Sequence, residues 1–285
     1  MIHNVRRVLK KVVRRGTPLQ TAAESCQRFL WRHVPRFFDW KQDMSAMTID
    51  VTLRCNLSCR NCDRAVGLAP TDECISVEQV DRFVRESVDT GWEWQRIMLA
   101  GGEPTLHPEF DRILEALIPY KKIRPDCEVR VLSNGHGERV KSKLSNLPAW
   151  VTVTNSEKTS GKQRFQTFNL APRDIDALRN EDFSRGCFVI EYCGMALTRY
   201  GYYCCAPASS VDRVFGFDVG LKSLASFTDA ALKEQRRRLC SYCGHNKENF
   251  REAWSRIQET SPSWREAVER YREEPPRLTL YGCDA

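Results

Sequence analysis

The sequence CNLSCRNC places three cysteines, Cys55, Cys59 and Cys62, in a C-x3-C-x2-C arrangement on one short segment. Three thiolates this close together in the chain can converge on one metal centre. A structural zinc site needs four protein ligands, so a set of three leaves a position open. A [4Fe-4S] cluster held by three cysteines likewise leaves one iron free for an outside ligand. The spacing therefore favours an open iron-sulfur centre.

Composition decides which cysteine chemistries are available. The chain has 285 residues, of which 41% are hydrophobic and 10% aromatic, as is typical of globular proteins rather than disordered ones. No run of residues is apolar enough to cross a membrane, and the N-terminus lacks the pattern of a signal peptide, so we expect a cytosolic protein. Because disulfides are disfavoured there, the 13 cysteines are interpreted as metal ligands and redox groups.

From residue 48 onward, strand and helix patterns alternate. Strands are predicted at 48–53, 96–100, 128–133 and 150–154, and helices at 76–91, 107–122 and 137–146. This order indicates an α/β fold with a parallel sheet and right-handed crossovers, either open or barrel-like. In such folds the loops after the carboxyl ends of the strands build the site, and every candidate motif here follows a strand.

Two further motifs come after the second and third predicted strands. The first is GGEP, in which two glycines allow close backbone approach and a glutamate complements an ammonium group. The second is LSNG, which offers polar side chains, and Asn155 after the next strand is a further candidate. The two motifs contain Gly101, Gly102, Glu103, Pro104, Ser133 and Asn134, whose assignment to a ligand rests on the resemblance described next. His107, just beyond GGEP, is assigned to the start of a helix and not to catalysis.

In this order, the three motifs resemble those of the radical S-adenosylmethionine (SAM) enzymes. The resemblance implies a partial (β/α)6 barrel, a [4Fe-4S] cluster on Cys55, Cys59 and Cys62, and SAM bound to the free iron. GGEP would contact the amino group of SAM, and Ser133 and Asn134 its ribose and carboxylate. Reductive cleavage of SAM would then give a 5'-deoxyadenosyl radical that abstracts a hydrogen atom. The family usually has an aromatic residue before the third cysteine, where this chain has Asn61.

A second set of cysteines follows in the C-terminal part, around a predicted hairpin near Gly201 and a C-x2-C pair. The pattern is similar to the Twitch module, a shorter relative of the SPASM domain, and is closest to that of radical SAM aminocyclitol dehydrogenases. The resemblance implies an auxiliary [4Fe-4S] cluster with the ligands Cys187, Cys205, Cys240 and Cys243. Cys204 and Cys193 are the nearest competitors for a ligand position. A structural zinc site with the same four thiols is the alternative.

We expect three regions along the chain. Residues 1–46 form a basic helical extension, residues 47–183 the barrel, and residues 184–285 the Twitch-like module with C-terminal helices. Residues 2–15 combine a valine stripe with arginines and lysines, within a net charge of +7. This segment would either pack on the main domain or contact an anionic membrane surface or an acidic partner.

The leading functional hypothesis is a radical oxidation or rearrangement of a sugar, aminocyclitol or natural-product intermediate. The auxiliary cluster would accept an electron, and a flavodoxin or ferredoxin would be the electron donor. One alternative is modification or epimerisation of a peptide, with Cys193 or Cys204 as hydrogen donor. Another is a non-enzymatic iron-sulfur or zinc module that binds RNA or a partner protein. GGEP and LSNG argue against it, so a nucleic-acid partner is not favoured.

Overall fold

A computed structural model describes residues 40–59, 61–158, 168–245 and 260–282 of the chain. Residues 1–39, which hold most of the predicted basic extension together with Cys26, lie outside the described residues, as does Cys283. The strands are β1 (Ala46–Thr52), β2 (Arg96–Gly101), β3 (Glu128–Ser133), β4 (Val151–Asn155), β5 (Met195–Thr198) and β6 (Gly201–Tyr203). The helices are α1 (Val77–Asp89), α2 (Phe110–Ile123), α3 (Glu138–Ser145), α4 (Phe188–Tyr192), α5 (Ala206–Phe215), α6 (Asp229–Leu239) and α7 (Pro262–Glu273).

The strands form one six-stranded sheet in the order β4-β3-β2-β1-β5-β6. All neighbouring pairs are parallel except β5 and β6, which form an antiparallel hairpin. The predicted α/β architecture with a parallel sheet is thus confirmed. Since β1, β2 and β3 are adjacent and parallel, the segments that follow them emerge at the same edge of the sheet. This topology brings the cysteine loop, GGEP and LSNG together.

The first crossover shows how the local sequence specifies its helix. Ser76 caps α1 by accepting a hydrogen bond from the backbone amide of Gln79, whose side-chain oxygen in turn accepts one from the Ser76 amide. This capping box satisfies two amide groups that the first helical turn cannot pair. The helix buries an apolar stripe against the sheet and ends before Gly91, whose φ of +64° places it in the left-handed region. The predicted helix is confirmed.

Helix α2 begins later than the sequence predicted, since Phe110 is its first residue and Pro108 lies before it. His107 accounts for the difference. Its Nδ1 accepts a hydrogen bond from the Glu109 amide at 3.0 Å, and its Nε2 lies 2.9 Å from the Ile75 carbonyl oxygen. The ring is therefore neutral with its proton on Nε2, and burial lowers its pKa. His107 is thus buried before α2 rather than in its first turn, and its exclusion from catalysis stays a prediction.

The C-terminal elements do not form a sheet of their own. Strands β5 and β6 fall within the predicted Twitch-like module, yet β5 pairs in parallel with β1 and extends the same sheet. The hairpin turns at Gly201, whose φ is +119°, as the sequence indicated. The domain boundary near residue 183 stays a prediction. None of the described helices is long and apolar enough to span a membrane.

Candidate metal centre and cofactor site

The GGEP motif packs its backbone directly against the start of the cysteine loop. The Gly102 amide donates to the Thr52 carbonyl at 2.7 Å, and the Glu103 amide donates to the Arg54 carbonyl at 2.8 Å. A Cβ atom on Gly101 would lie 2.1 Å from the Thr52 oxygen, and one on Gly102 would lie 2.3 Å from the Arg54 oxygen. Only glycine fits at both positions, so the motif shapes the loop that carries Cys55.

Glu103 is fully buried and joins the second and third motifs. Its carboxylate accepts hydrogen bonds from the Ser133 hydroxyl at 3.0 Å and from the backbone amide of Asn134 at 2.8 Å. The Thr105 amide and hydroxyl also donate to it, at 3.3 Å and 2.7 Å. These internal donors satisfy the buried charge. In this arrangement Glu103 holds the LSNG loop in place, and its predicted contact with the amino group of SAM stays a prediction.

Asn134 connects the third motif to the cysteine loop. Its side-chain nitrogen, Nδ2, lies 2.9 Å from Asn56 Oδ1 and 3.7 Å from the Cys55 sulfur. The Asn56 side chain also donates to the His136 carbonyl at 2.6 Å. Asn134 therefore supplies a hydrogen-bond donor to a predicted cluster ligand, in addition to its predicted contact with SAM. Asn56 was not among the predicted residues, although its polar side chain inside the C-x3-C segment is a visible signal.

Gly135, which follows β3, and Asn155, at the end of β4, also lie very close to each other. Gly135 has a φ of +66°, and a Cβ atom there would lie 1.9 Å from Asn155 Oδ1. The Asn155 side chain also accepts a hydrogen bond from the Glu157 amide at 2.9 Å. Asn155 thus lies beside the LSNG loop, at the edge of the sheet where the sequence placed it.

All three cysteines of the first group are half-buried on the loop after β1. Burial raises the pKa of Cys55, and it raises the pKa of Cys62 to about 11. Both thiols must lose a proton to become ligands, as is usual for cysteines that bind metal. Asn61 has a φ of +57°, a left-handed conformation that asparagine adopts more readily than an aromatic residue does. The backbone thus accounts for this departure from the family pattern.

A buried ion pair that the sequence analysis did not identify lies beside the first group. Arg64 Nε is 3.1 Å from both carboxylate oxygens of Asp50 on β1, and Arg64 Nη1 is 3.0 Å from Asp63. Asp50 is only 5% exposed. This ion pair holds the segment that follows Cys62 against β1, the central strand of the sheet. Its members are 14 positions apart in sequence, so only the folded chain identifies them as partners.

The second group of predicted ligands is buried throughout. Cys187 precedes α4, Cys205 precedes α5, Cys240 follows α6, and Cys243 ends the 3-10 turn after it. Burial raises the pKa of Cys187 well above its ordinary value, and the nearby sulfurs of Cys243, Cys240 and Cys205 raise it further. The fold therefore brings the four thiols into one neighbourhood from three separate parts of the chain, since Cys240 and Cys243 flank one 3-10 turn.

Both predicted competitors lie close enough to Cys205 to interact with it, but only Cys204 is buried. Its thiol hydrogen bonds to the Cys205 sulfur, which raises the pKa of Cys204 and lowers that of Cys205. Cys205 is the thiol better prepared to be a thiolate ligand, with Cys204 as its protonated neighbour. Cys193 is exposed at the end of α4.

The donor sets fit iron-sulfur clusters by their chemistry, since all seven predicted ligands are unbridged thiols among the described cysteines. Within the described ranges, no group of three or more His, Cys, Asp or Glu side chains is arranged to hold a single metal ion. The structure thus presents two separate thiol groups, and the ligand assignments themselves stay predictions.

Sequence comparison matches part of this chain to known proteins. GTP 3',8-cyclase of Aliarcobacter butzleri is 28% identical over 92 residues, which cover 32% of this chain and 27% of that protein. A probable GTP 3',8-cyclase of Methanocella arvoryzae is 36% identical over 92 residues, with the same shares. The matched region spans about a quarter of the length of these relatives.

Solved structures give a weaker likeness. BtrN in complex with AdoMet and 2-DOIA has a TM-score of 0.43 at 13% identity, covering 72% of this chain and 94% of that one. Streptococcus suis SuiB bound to the precursor peptide SuiA has a TM-score of 0.30 at 17% identity, covering 50% of this chain and 30% of that one. Both scores are below 0.5, so neither structure supports a conclusion about substrate.

The family comparison covers the motifs described above. Residues 49–154 match the model of the radical SAM superfamily, and this range contains the second half of β1, the cysteine loop, GGEP and LSNG. The family implies a [4Fe-4S] cluster and SAM as cofactors, in agreement with the three thiols after β1. The similarity to the radical SAM superfamily thus lies within residues 49–154, the part of the chain that carries all three motifs.

Proposed function

We propose that the chain is a radical SAM enzyme that removes a hydrogen atom from a small molecule. Cys55, Cys59 and Cys62 would hold the cluster, and the backbone of GGEP together with Ser133 and Asn134 would bind SAM. The observation that carries the proposal is the convergence of these three motifs at one edge of the sheet, inside the range that matches the family. When bound, the cluster supplies the electron that cleaves SAM into methionine and a 5'-deoxyadenosyl radical.

The protein's own contribution is to position SAM and to shape its pocket. Gly101 and Gly102 leave no side chain between the β2 end and the loop, so the loop that carries Cys55 packs directly against their backbone. Glu103 keeps Ser133 and Asn134 in fixed positions through its buried carboxylate. Fixed polar groups lose little entropy when they bind a ligand, which is why such a scaffold favours productive orientation.

For the overall reaction we propose oxidation of an alcohol carbon of a sugar, aminocyclitol or related natural-product intermediate. Hydrogen abstraction from that carbon gives 5'-deoxyadenosine and a carbon radical beside a hydroxyl group. This radical becomes a ketone when it loses one electron and the hydroxyl proton. The electron needs an acceptor, and a second cluster on Cys187, Cys205, Cys240 and Cys243 would supply one. The neighbourhood of these four buried thiols supports this part of the proposal.

The first test needs no substrate. Anaerobically reconstituted protein is incubated with SAM and dithionite, and 5'-deoxyadenosine is measured by chromatography. We expect formation by the native chain and a fall to the level of the protein-free blank in Cys59→Ala. Cys74→Ala is the matched control, since Cys74 is also half-buried but belongs to neither group, and it should retain activity. Absence of 5'-deoxyadenosine from the native chain under several one-electron donors, including a flavodoxin and a ferredoxin, would contradict the proposal.

A further inference from the structure

Arg213 is a buried arginine that contacts the first cysteine loop from a distant helix. It lies on α5, which begins directly after Cys205, and it is 3% exposed. Its Nη2 donates to the Arg64 carbonyl at 3.1 Å, and its Nη1 donates to the Ala69 carbonyl at 2.9 Å. Nη1 also lies 2.7 Å from the hydroxyl of Tyr271 on α7. One guanidinium thus joins the segment after Cys62 to two C-terminal helices.

The segment that Arg213 holds is conformationally demanding. Directly after Cys62 the chain turns back, with the Ala65 amide donating to the Cys62 carbonyl at 2.9 Å. Ala65 has a φ of +53°, which is uncommon for a residue with a side chain, and it is fully buried. Such a conformation persists only where surrounding contacts enforce it. Two contacts tie this segment to other parts of the fold: the Asp50–Arg64 ion pair on one side and Arg213 on the other.

Both contacts are needed for different reasons. The ion pair fixes the Arg64 side chain to the central strand, whereas Arg213 donates to the buried carbonyl of Ala69 and the partly buried carbonyl of Arg64. A buried carbonyl that loses its donor is left without the water it had in the unfolded chain, which destabilises that local conformation. Without Arg213, the turn at Cys62 therefore loses the donors that stabilise its strained backbone.

We propose that Arg213 is a positioning residue that couples the two cysteine groups. It fixes the position of Cys62 through the Arg64 carbonyl, from a helix that begins at Cys205. The geometry of the SAM-binding cluster then depends on the C-terminal region, which is more than an appended module. This inference rests on the proposed function, because it concerns the cluster that the first group would hold.

The test compares Arg213→Met with Arg237→Met in the full chain. Methionine keeps much of the aliphatic part of the arginine side chain but removes the guanidinium group. Arg237, the control, is an exposed arginine on α6 that pairs only with Glu234 among the described residues. Hydrogen exchange of the cluster-free protein is followed by mass spectrometry over residues 62–70. We expect exchange about tenfold faster in Arg213→Met, with the sheet unchanged, because opening this segment no longer breaks the Arg213 bonds. Arg237→Met should match the native chain.

A second readout uses the reconstituted protein. SAM binding at the free iron of the first cluster should shift its electron paramagnetic resonance spectrum. We expect this shift to be lost or reduced in Arg213→Met, to be partly restored in Arg213→Lys, and to be intact in Arg237→Met. Should Arg213→Met fail to fold, Tyr271→Phe removes one partner of the guanidinium, and we expect a smaller change of the same kind at residues 62–70.

The outcomes separate the two proposals. Native protein without a cluster, or without a spectral response to SAM, would overturn the proposed function. A native protein that responds normally, together with an Arg213→Met variant that matches Arg237→Met in both exchange and spectrum, would overturn the coupling role alone. For Tyr271→Phe, exchange identical to that of the native chain would count against the role of Arg213 in the same way.

Discussion

The two cysteine groups reach proximity by opposite routes. Cys55, Cys59 and Cys62 lie on one loop, are half-buried, and are close because they are close in sequence. The thiols of the second group come from three separate parts of the chain and are all buried. The first group needs an open iron for a cofactor, whereas the second is enclosed by protein. Under the proposed function, this difference in access leaves room for a cofactor at the first group and none at the second.

Removing two thiols of the second group should have the largest effect on the difference between the two groups. In the Cys240→Ala, Cys243→Ala double variant, we expect iron to fall from about eight to about four per chain, since one four-iron cluster is lost. 5'-Deoxyadenosine should still form, while the oxidised product disappears because its electron has no acceptor. Iron and sulfide analysis with product chromatography measures both effects.

Cys127→Ala is the control, because Cys127 is buried but has no partner thiol in either group. About four irons in both the native chain and the double variant, with zinc in the native chain, would rule out the second redox centre.

A second prediction sharpens the assignment within the buried group. Cys205→Ala should lose the iron of the second group, whereas Cys204→Ala should retain it. Cys204 donates a hydrogen bond to the Cys205 sulfur, and such bonds stabilise the more negative, reduced cluster. Its loss should therefore lower the midpoint potential by on the order of tens of millivolts, measured by redox titration. Loss of iron in Cys204→Ala but not in Cys205→Ala would reverse the ligand assignment.

The scaffold of the first group is tested by Glu103→Gln. The amide replaces an acceptor oxygen by a donor that faces the Ser133 hydroxyl and the Asn134 amide. We expect the free energy of unfolding to fall by about 2 to 3 kcal/mol, as for hydrogen bonds to a buried charged group. Denaturant unfolding of the cluster-free chain measures it. Glu109→Gln, at an exposed carboxylate paired with Arg112, should stay within about 0.5 kcal/mol of the native value.

The smallest expected effect is a pH dependence of the folding stability, and it comes from His107 in the segment that follows GGEP. Burial lowers the pKa of His107 in the folded state below its ordinary value of 6.5, so the folded state favours the neutral ring. The stability from this ring is fully present above pH 6.5 and is lost as the pH falls toward the folded-state pKa.

Unfolding of the native chain and of His107→Gln should be compared at about pH 7.5 and about pH 5. The stability advantage of the native chain should narrow by on the order of 1 kcal/mol at the lower pH. An advantage that grows on acidification would show that the ring is charged in the folded state.

The sequence by itself determined the elements whose signals are local. The capping box at Ser76, the hairpin at Gly201 and the order of strands and helices follow from residues a few positions apart. The same holds for the cysteine loop and for GGEP and LSNG, whose convergence follows from the rule that parallel strands end at one edge. Residue spacing, turn-forming residues and strand order were therefore sufficient to predict this part of the site.

Only the tertiary structure decided which distant groups meet. Glu103 bonds to Ser133 and Asn134 some 30 positions away, Asp50 pairs with Arg64, and Arg213 reaches the Arg64 carbonyl across 149 positions. These contacts depend on how α5 and the loop after Cys62 pack against the sheet. Buried charges and carbonyls take whichever partners lie within about 3 Å in the folded chain, and no local spacing encodes that choice.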